Sequence, residues 1–404
     1  MNFSFPDDTE ILRKELRAFL DVHWSRERRA YSMNDAIARD LATLEPNAAH
    51  VTPEEVRKFY RLLGQAGFLA IGMPERYGGT GVNHLARYVL QSELTSVGAP
   101  YPNIALTMVA PTLISVGSRE FLDEHIPRII AGEVEYCLGY TEPSAGTDLA
   151  SLKTRAVREG NGYRINGQKL FSSSAHYADY YFVAVRTDPD AAKHRGISIF
   201  LIPMNSPGIT INPLITNSGV RTNIVFIDDV WAPASALLGE ENKGWTYLGE
   251  SLAFERYAAM LSLPLVRAYE ELVVAVGPDP APEVASKLAL LRADIRAADL
   301  LNLNAAWTAH DGRPPIVEAA ESKLNITELR HRLARLALEL LGSRGLLTEL
   351  DPDAVAYGQF DLMYRHSVIH LFTAGANDVQ RDIIAQSGQG MPRGTTPDVR
   401  RVAK

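Results

Sequence analysis

The sequence predicts an α+β multidomain chain. An N-terminal α-helical domain covers residues 1–130, a middle β-barrel or sandwich domain covers 131–238, and a C-terminal four-helix bundle covers 239–404. Three observations predict this order. A length of 404 residues is too great for one simple core. Apolar residues recur at helical spacing up to about residue 130 and again after Gly239. Between these regions lie short, β-branched, turn-bounded runs.

The helical half opens with Asp8-Thr-Glu-Ile-Leu-Arg-Lys-Glu-Leu, an acidic start followed by helical periodicity. The stretch Tyr31–His50 is polar and mixed, and reads as a loop or a short helix. Thr52-Pro-Glu-Glu supplies an N-cap, a proline at the first helical position and acidic residues in the first turn. Gly78-Gly79 and Gly81 mark a loop, and helices are expected again over His84–Leu94 and Ala105–Ile114. The pattern changes near Glu133. Strands are expected at Tyr180–Arg186, Ile197–Pro203, Ile209–Leu214 and Asn223–Val230. Glu283–Leu301 and Val317–Leu341 are long and periodic, as bundle helices are.

Hydrophobic residues make up 46% of the chain and charged residues 22%, ordinary proportions for a globular protein. A net charge of −7 gives no whole-chain attraction to nucleic acid or to an anionic membrane, although local basic patches remain open. The single cysteine, Cys137, excludes an internal disulfide and sits among apolar neighbours, as an inert core thiol does. No Cys/His cluster has metal-ligand spacing. The N-terminus lacks the regions of a secretory signal, and no apolar run reaches membrane-spanning length, so a cytoplasmic protein is expected.

The most informative stretch is Tyr140-Thr-Glu-Pro-Ser-Ala-Gly-Thr-Asp148, followed by Asn166-Gly-Gln-Lys-Leu-Phe-Ser-Ser173. Its composition suits a flavin cradle. Pro143 stiffens the loop, Ala145-Gly146 let backbone N–H groups approach a ligand, and Thr141, Thr147 and Ser173 add small hydroxyls. Phe171 offers a flat apolar face. On composition alone an ordinary strand–turn–strand unit is the default reading of such a loop. The two halves together, however, resemble the acyl-CoA dehydrogenase signature, Thr/Ser-Glu-Pro-x-Ala-Gly-Ser/Thr-Asp and then Asn-Gly-x-Lys-x-Trp/Phe-x-Ser/Thr, and the resemblance covers essentially the whole chain.

That resemblance implies the same helix–sheet–helix arrangement, an FAD cofactor, and desaturation of an acyl-CoA between Cα and Cβ. A carboxylate removes the Cα proton and the flavin accepts hydride from Cβ. It places the flavin against Leu138, Thr141, Gly146, Thr147, Phe171 and Ser173, with Thr147 also beside the thioester end of the substrate. Asp148 is expected to be structural, capping the turn. One branch of the family carries its base before a C-terminal Gly-Thr-x-x-x-Gln-Arg motif. Here that region reads Thr373-Ala-Gly-Ala-Asn-Asp-Val-Gln-Arg381, with Ala374 at the glutamate position. Another branch carries the base in Leu-x-x-Glu-Arg, matched by Leu252-Ala-Phe-Glu-Arg256. Glu255 is therefore the candidate base. Its large neighbours Phe254 and Tyr257 favour burial and a raised pKa over the solvated helix carboxylate that is the default. Arg256 is a candidate substrate contact or an ordinary ion-pair partner. Asp378 is a rival acid.

The resemblance also implies an oligomer in which a neighbouring subunit grips the adenosine diphosphate half of FAD, and an electron-transfer flavoprotein as electron acceptor. The family's Arg-x-x-Phe-Gly element is missing: Gly277-Pro-Asp-Pro-Ala-Pro-Glu stands in its place. The Gln-x-x-Gly-Gly loop corresponds to Glu339-Leu-Leu-Gly-Ser-Arg-Gly345, making Glu339, Gly342, Ser343 and Arg344 candidate cofactor residues, with Arg344 standing in for the lost guanidinium. Alternatively, the chain is a non-catalytic or half-site subunit of a mixed tetramer, as in the bacterial dehydrogenases of steroid side-chain thioesters that it resembles around Glu255. A third class, flavin monooxygenase or carrier-protein desaturase, uses the same fold.

Overall fold

The computed structural model describes residues 5–24, 52–102, 104–249, 262–348 and 351–392. Helices come first: α1 (Asp7–His23), α2 (Pro53–Gln65), α3 (His84–Ser96), α4 (Ala110–Val116) and α5 (Arg119–Ile130). Asp7, Asp8 and Glu10 occupy the first turn of α1, where the helix dipole favours negative charge. Thr52 caps α2 in a full capping box: its hydroxyl accepts from Glu55 N–H, while the Glu55 carboxylate accepts from Thr52 N–H at 2.9 Å. The helix expected at Ala105–Ile114 begins as a π-helical turn, Ile104–Val109, before it tightens into α4. The polar stretch at Tyr31–His50 lies outside the described residues.

Eight strands follow: β1 (Tyr136–Gly139), β2 (Arg155–Glu159), β3 (Gly162–Lys169), β4 (Tyr180–Arg186), β5 (Ile197–Pro203), β6 (Ile209–Ile215), β7 (Arg221–Pro233) and β8 (Leu237–Leu238). They form one sheet in the order β6-β7-β3-β2-β4-β5-β8, with β1 parallel to β4. β6 is an edge strand, which is where Pro213 is tolerated. On β4, Tyr181, Val183 and Val185 join Tyr163, Phe200, Val225 and Ile227 in a core enclosed by the sheet itself. Phe182 and Ala184, on the opposite face, pack with Leu20, Trp24, Phe59 and Leu63 of the N-terminal helices. Both faces of β4 are thus covered, which is why it reads as an unbroken apolar run. Cys137 lies in the sheet's inner core, where burial pushes its thiol well above the usual range, consistent with an inert role.

The chain ends in α6 (Leu263–Val276), α7 (Pro282–His310), α8 (Ile316–Leu341), α9 (Gln359–His370) and α10 (Asn377–Ile383). Leu265 and Leu272, Leu291 and Ile295, Leu329 and Leu333, and Phe360 and Met363 form one core drawn from α6, α7, α8 and α9. Leu85, Tyr88 and Val89 of α3 pack against Ala306 of α7, joining the two helical regions.

Candidate active site

The cradle is built where β1 leaves the sheet. Leu138, half-buried, pairs in register with Phe182 of β4. At Gly139 a side chain is impossible, because a Cβ would stand 2.5 Å from the Tyr181 ring. Beyond it, Glu142 and Ala145 exchange backbone hydrogen bonds at 3.0 and 3.1 Å, closing a turn over Pro143-Ser144. Gly146 and Thr147 follow on the exposed side. Asp148 departs from expectation. Its side chain does not cap the following turn, Leu149–Ser151. Its carbonyl accepts from the Ser151 hydroxyl at 2.7 Å instead, and its carboxylate turns away to pair with Lys193. The reason is electrostatic: the nearby ammonium outcompetes a neutral N–H for the carboxylate.

The two halves of the signature are welded by a pair to which the sequence reading gave no role. Lys169 Nζ lies 2.8 Å from Glu142 Oε1, and both side chains are buried. Glu142 also accepts from the backbone N–H groups of Lys153, at 2.6 Å, and Thr154, at 2.8 Å. Lys169 donates further to the Tyr140 carbonyl at 3.2 Å. Burial pushes the Lys169 ammonium down to about 8 against the pull of Glu142. Burial pulls the Glu142 carboxyl upward, but the charge of Lys169 and the hydrogen bonds from Lys169, Thr154 and Lys153 together hold it below the usual carboxylate range. The pair is therefore ionised at neutral pH. Leu170 N–H donates to Thr141 O at 2.8 Å, setting the Thr141 and Phe171 segments side by side. The sequence shows an acid in one half and a base in the other, but not that the two meet.

Phe171 stands 53% exposed with φ at +56°, a left-handed backbone unusual for an aromatic residue. Ser173 is exposed and shares a hydrogen bond of 3.3 Å with the Thr222 hydroxyl. Among the described residues neither the Thr141 nor the Thr147 hydroxyl has a partner. A projecting aromatic face beside free hydroxyls is the donor set that a flavin ring, flat and edged with acceptors, requires.

Glu255 and Arg256 lie outside the described residues, as do Phe254 and Tyr257. Ala374 sits in a turn with φ at +52°, followed by Gly375 at +84°. Asp378 is exposed and contacts Arg381. Glu339 is exposed near the end of α8 and pairs with Lys287 at 2.5 Å. Gly342, Ser343 and Arg344 form the exposed start of the 3₁₀ turn Gly342–Leu346.

Family models for acyl-CoA dehydrogenases match in sequence: the N-terminal domain over residues 6–133, the middle domain over 137–230 and the C-terminal domain over 242–389. Acyl-CoA dehydrogenase FadE26 of Mycobacterium tuberculosis is 34% identical, over 97% of this chain and 99% of that protein. The chain belongs to the acyl-CoA dehydrogenase family. It is an oxidoreductase of that family, whose members are flavoproteins. The Tcur3481-Tcur3483 steroid ACAD superposes with a TM-score of 0.86 at 32% identity, covering 98% of this chain and 100% of that one. The ChsE4-ChsE5 complex from Mycobacterium tuberculosis gives 0.85 at 33%, with the same coverage.

Proposed function

We propose that this acyl-CoA dehydrogenase binds FAD and desaturates a bulky, steroid side-chain acyl-CoA between Cα and Cβ. The observation that carries the reading is the buried Glu142–Lys169 weld, which sets the Thr141–Thr147 loop beside the Phe171–Ser173 loop. Leu138, Thr141, Gly146, Thr147, Phe171 and Ser173 hold the isoalloxazine, and Thr147 also meets the thioester. FAD, when bound, supplies the hydride acceptor. Glu255 takes the Cα proton, since the other family position for the base holds Ala374. Arg256 steadies the CoA moiety. An electron-transfer flavoprotein receives the electrons. The steroid side-chain class is supported by solved relatives described as steroid ACADs at 32% and 33% identity. Carrier-protein chemistry is disfavoured: the prolyl acyl carrier protein oxidase AnaB is only 20% identical and shares the fold alone.

A second reading, a half-site subunit that completes its FAD site with a homologous partner, rests on one observation. The chain from Gly277 to Glu283 carries no basic residue, and of the candidates Glu339, Gly342, Ser343 and Arg344 for the diphosphate end only Arg344, which is exposed, is basic. The test begins with the absorption spectrum of the purified protein, followed by anaerobic titration with acyl-CoA thioesters that include a steroid side-chain one. Bleaching of a flavin band by that thioester supports the first reading. A colourless protein that gains flavin only on co-expression with a homologous subunit supports the second.

A further inference from the structure

Asn223 stands inside β7, in the run Asn-Ile-Val-Phe-Ile, where an amide is out of place by strand preference. It is fully buried, so each of its polar atoms needs a partner. It finds them on the loop that follows β3 and, for the amide oxygen, on its own strand. Its backbone carbonyl accepts from Ser172 N–H at 3.0 Å. Its side-chain Nδ2 donates to the Ser172 carbonyl at 2.9 Å and lies 3.2 Å from His176 Nδ1. Its Oδ1 accepts from Arg221 Nε at 2.9 Å. The adjacent Thr222 meets Ser173 at 3.3 Å through their hydroxyls. These contacts fix the amide's orientation, because only nitrogen can face the Ser172 carbonyl and only oxygen can face the guanidinium.

The last ladder pair between β3 and β7 is Lys169–Val225. From there the chain advances three residues to Ser172 while β7 steps back two to Asn223. The loop therefore carries one extra residue, as a bulge does, and bulges re-aim side chains. The left-handed Phe171, with φ at +56°, and Ser174, at +67°, absorb the misfit. Neither residue type prefers that conformation, so it persists only where surrounding contacts over-determine it. We propose that Asn223 is a positioning residue for the flavin: by gripping both main-chain polar groups of Ser172, it holds Phe171 and Ser173 in the strained loop that presents them to the isoalloxazine. This rests on the reading that those two residues meet the flavin. The bond to Ser172 N–H comes from the backbone carbonyl and survives substitution; what the side chain adds is the donor to the Ser172 carbonyl, which the acceptor-only carboxylate of Asp cannot supply and which Val or Ala lacks altogether.

The test compares wild type, Asn223→Ser, Asn223→Ala and Phe171→Ala, each with FAD added in excess. Three quantities are read: hydrogen exchange of the 170–177 segment without FAD, visible circular dichroism per bound flavin, and the FAD dissociation constant. Asn223→Ser guards against misfolding and is checked by a cooperative thermal transition. Loss of one or two net hydrogen bonds predicts loop exchange faster by about tenfold and weaker FAD binding by a similar factor. The flavin dichroism should shift in the same direction as in Phe171→Ala. Wild-type loop exchange or unchanged flavin dichroism in the Asn223 variants, with Phe171→Ala altered, overturns the inference and leaves the flavin reading standing. A lowered melting temperature with unchanged dichroism does the same, since it marks a merely structural residue. Unchanged dichroism in Phe171→Ala, or no flavin binding by wild type either alone or co-expressed with a homologous subunit, removes the flavin reading and the inference with it.

Discussion

Replacing Glu142 by Gln tests the weld at its most exposed physical assumption, that two buried charges hold the signature halves together. All three groups facing the carboxylate are donors: Lys169 Nζ and the backbone N–H groups of Lys153 and Thr154. A glutamine must therefore turn its own NH₂ onto one of them, and the Lys169 ammonium is left buried without a counter-charge. Breaking a buried pair on one side costs roughly 3–5 kcal/mol. The ceiling comes from titration. Lysine can shed its proton, and from its unperturbed value of 10.5 that costs about 5 kcal/mol at pH 7, at about 1.36 kcal/mol per pH unit. The sign of the pH dependence follows. A lysine whose folded pKa is depressed binds fewer protons in the native state than in the unfolded one, so stability rises with pH between the two values. In wild type this window opens near 8. In Glu142→Gln it is already open at pH 7, so the gap to wild type should narrow by about 1.4 kcal/mol between pH 7 and 9.5. Glu142→Gln/Lys169→Met, with no charge left to bury, should recover most of the loss. Urea unfolding at both pH values reads all three variants. A Glu142→Gln protein as stable as wild type, or a double variant no better than the single, would refute the ion-pair account.

Glu135 sits at the seam between α2 and the sheet, with Oε1 buried and unpartnered, and burial, opposed by Arg57 and aided by Asp179, pushes its carboxyl up to about 8. A carboxyl raised in the folded state loses stability as pH climbs from its unfolded value toward 8, so urea midpoints should fall between pH 6.5 and 8 in wild type and stay level in Glu135→Gln. Glu255→Gln should keep bound flavin but slow its anaerobic bleaching by acyl-CoA about 10²–10⁴-fold in stopped flow; bleaching at the wild-type rate would remove Glu255 as the base. Arg344→Ala should weaken FAD binding on the order of tenfold, measured by fluorescence titration, if its guanidinium replaces the missing one; an unchanged constant would assign the diphosphate to other groups.

What was legible in the sequence was local. The N-cap at Thr52 with the proline after it, and the acidic start of α1, each follow from residues within a few positions of one another. What was not legible depended on residues far apart. Glu142 and Lys169 are 27 positions apart, and only the folded sheet shows that both are buried together. Asp148 misled for the same reason: a short acidic residue before a turn is a good cap until a lysine 45 positions on comes within reach. Asn223 carried a readable clue, an amide in an apolar strand, but its partners lie on a loop about 50 residues earlier. The left-handed turn of Phe171 had no signal, because sequence patterns place glycine there, not an aromatic ring.

The C-terminal turn around Ala374 is held by its own hydrogen bonds, independently of the residue at position 374. Asn377 N–H donates to Leu371 O at 2.9 Å, and its Oδ1 accepts from Lys323 at 2.6 Å and Thr327 at 3.2 Å. Gln380 Nε2 donates to Gly375 O at 3.1 Å, and a side chain on Gly375 would stand 2.5 Å from that nitrogen. The turn is therefore set by Asn377, Gly375 and Gln380, none of which is at the position where one branch of the family carries its glutamate. Ala374 occupies that position at a left-handed φ of +52°, with a methyl group and no carboxylate. Scaffold and base are thus separable. An acyl-CoA dehydrogenase with this turn intact and Ala374 within it needs its proton acceptor from another element. The Leu252-Ala-Phe-Glu-Arg256 segment, which carries the other branch's motif, is the proposed source.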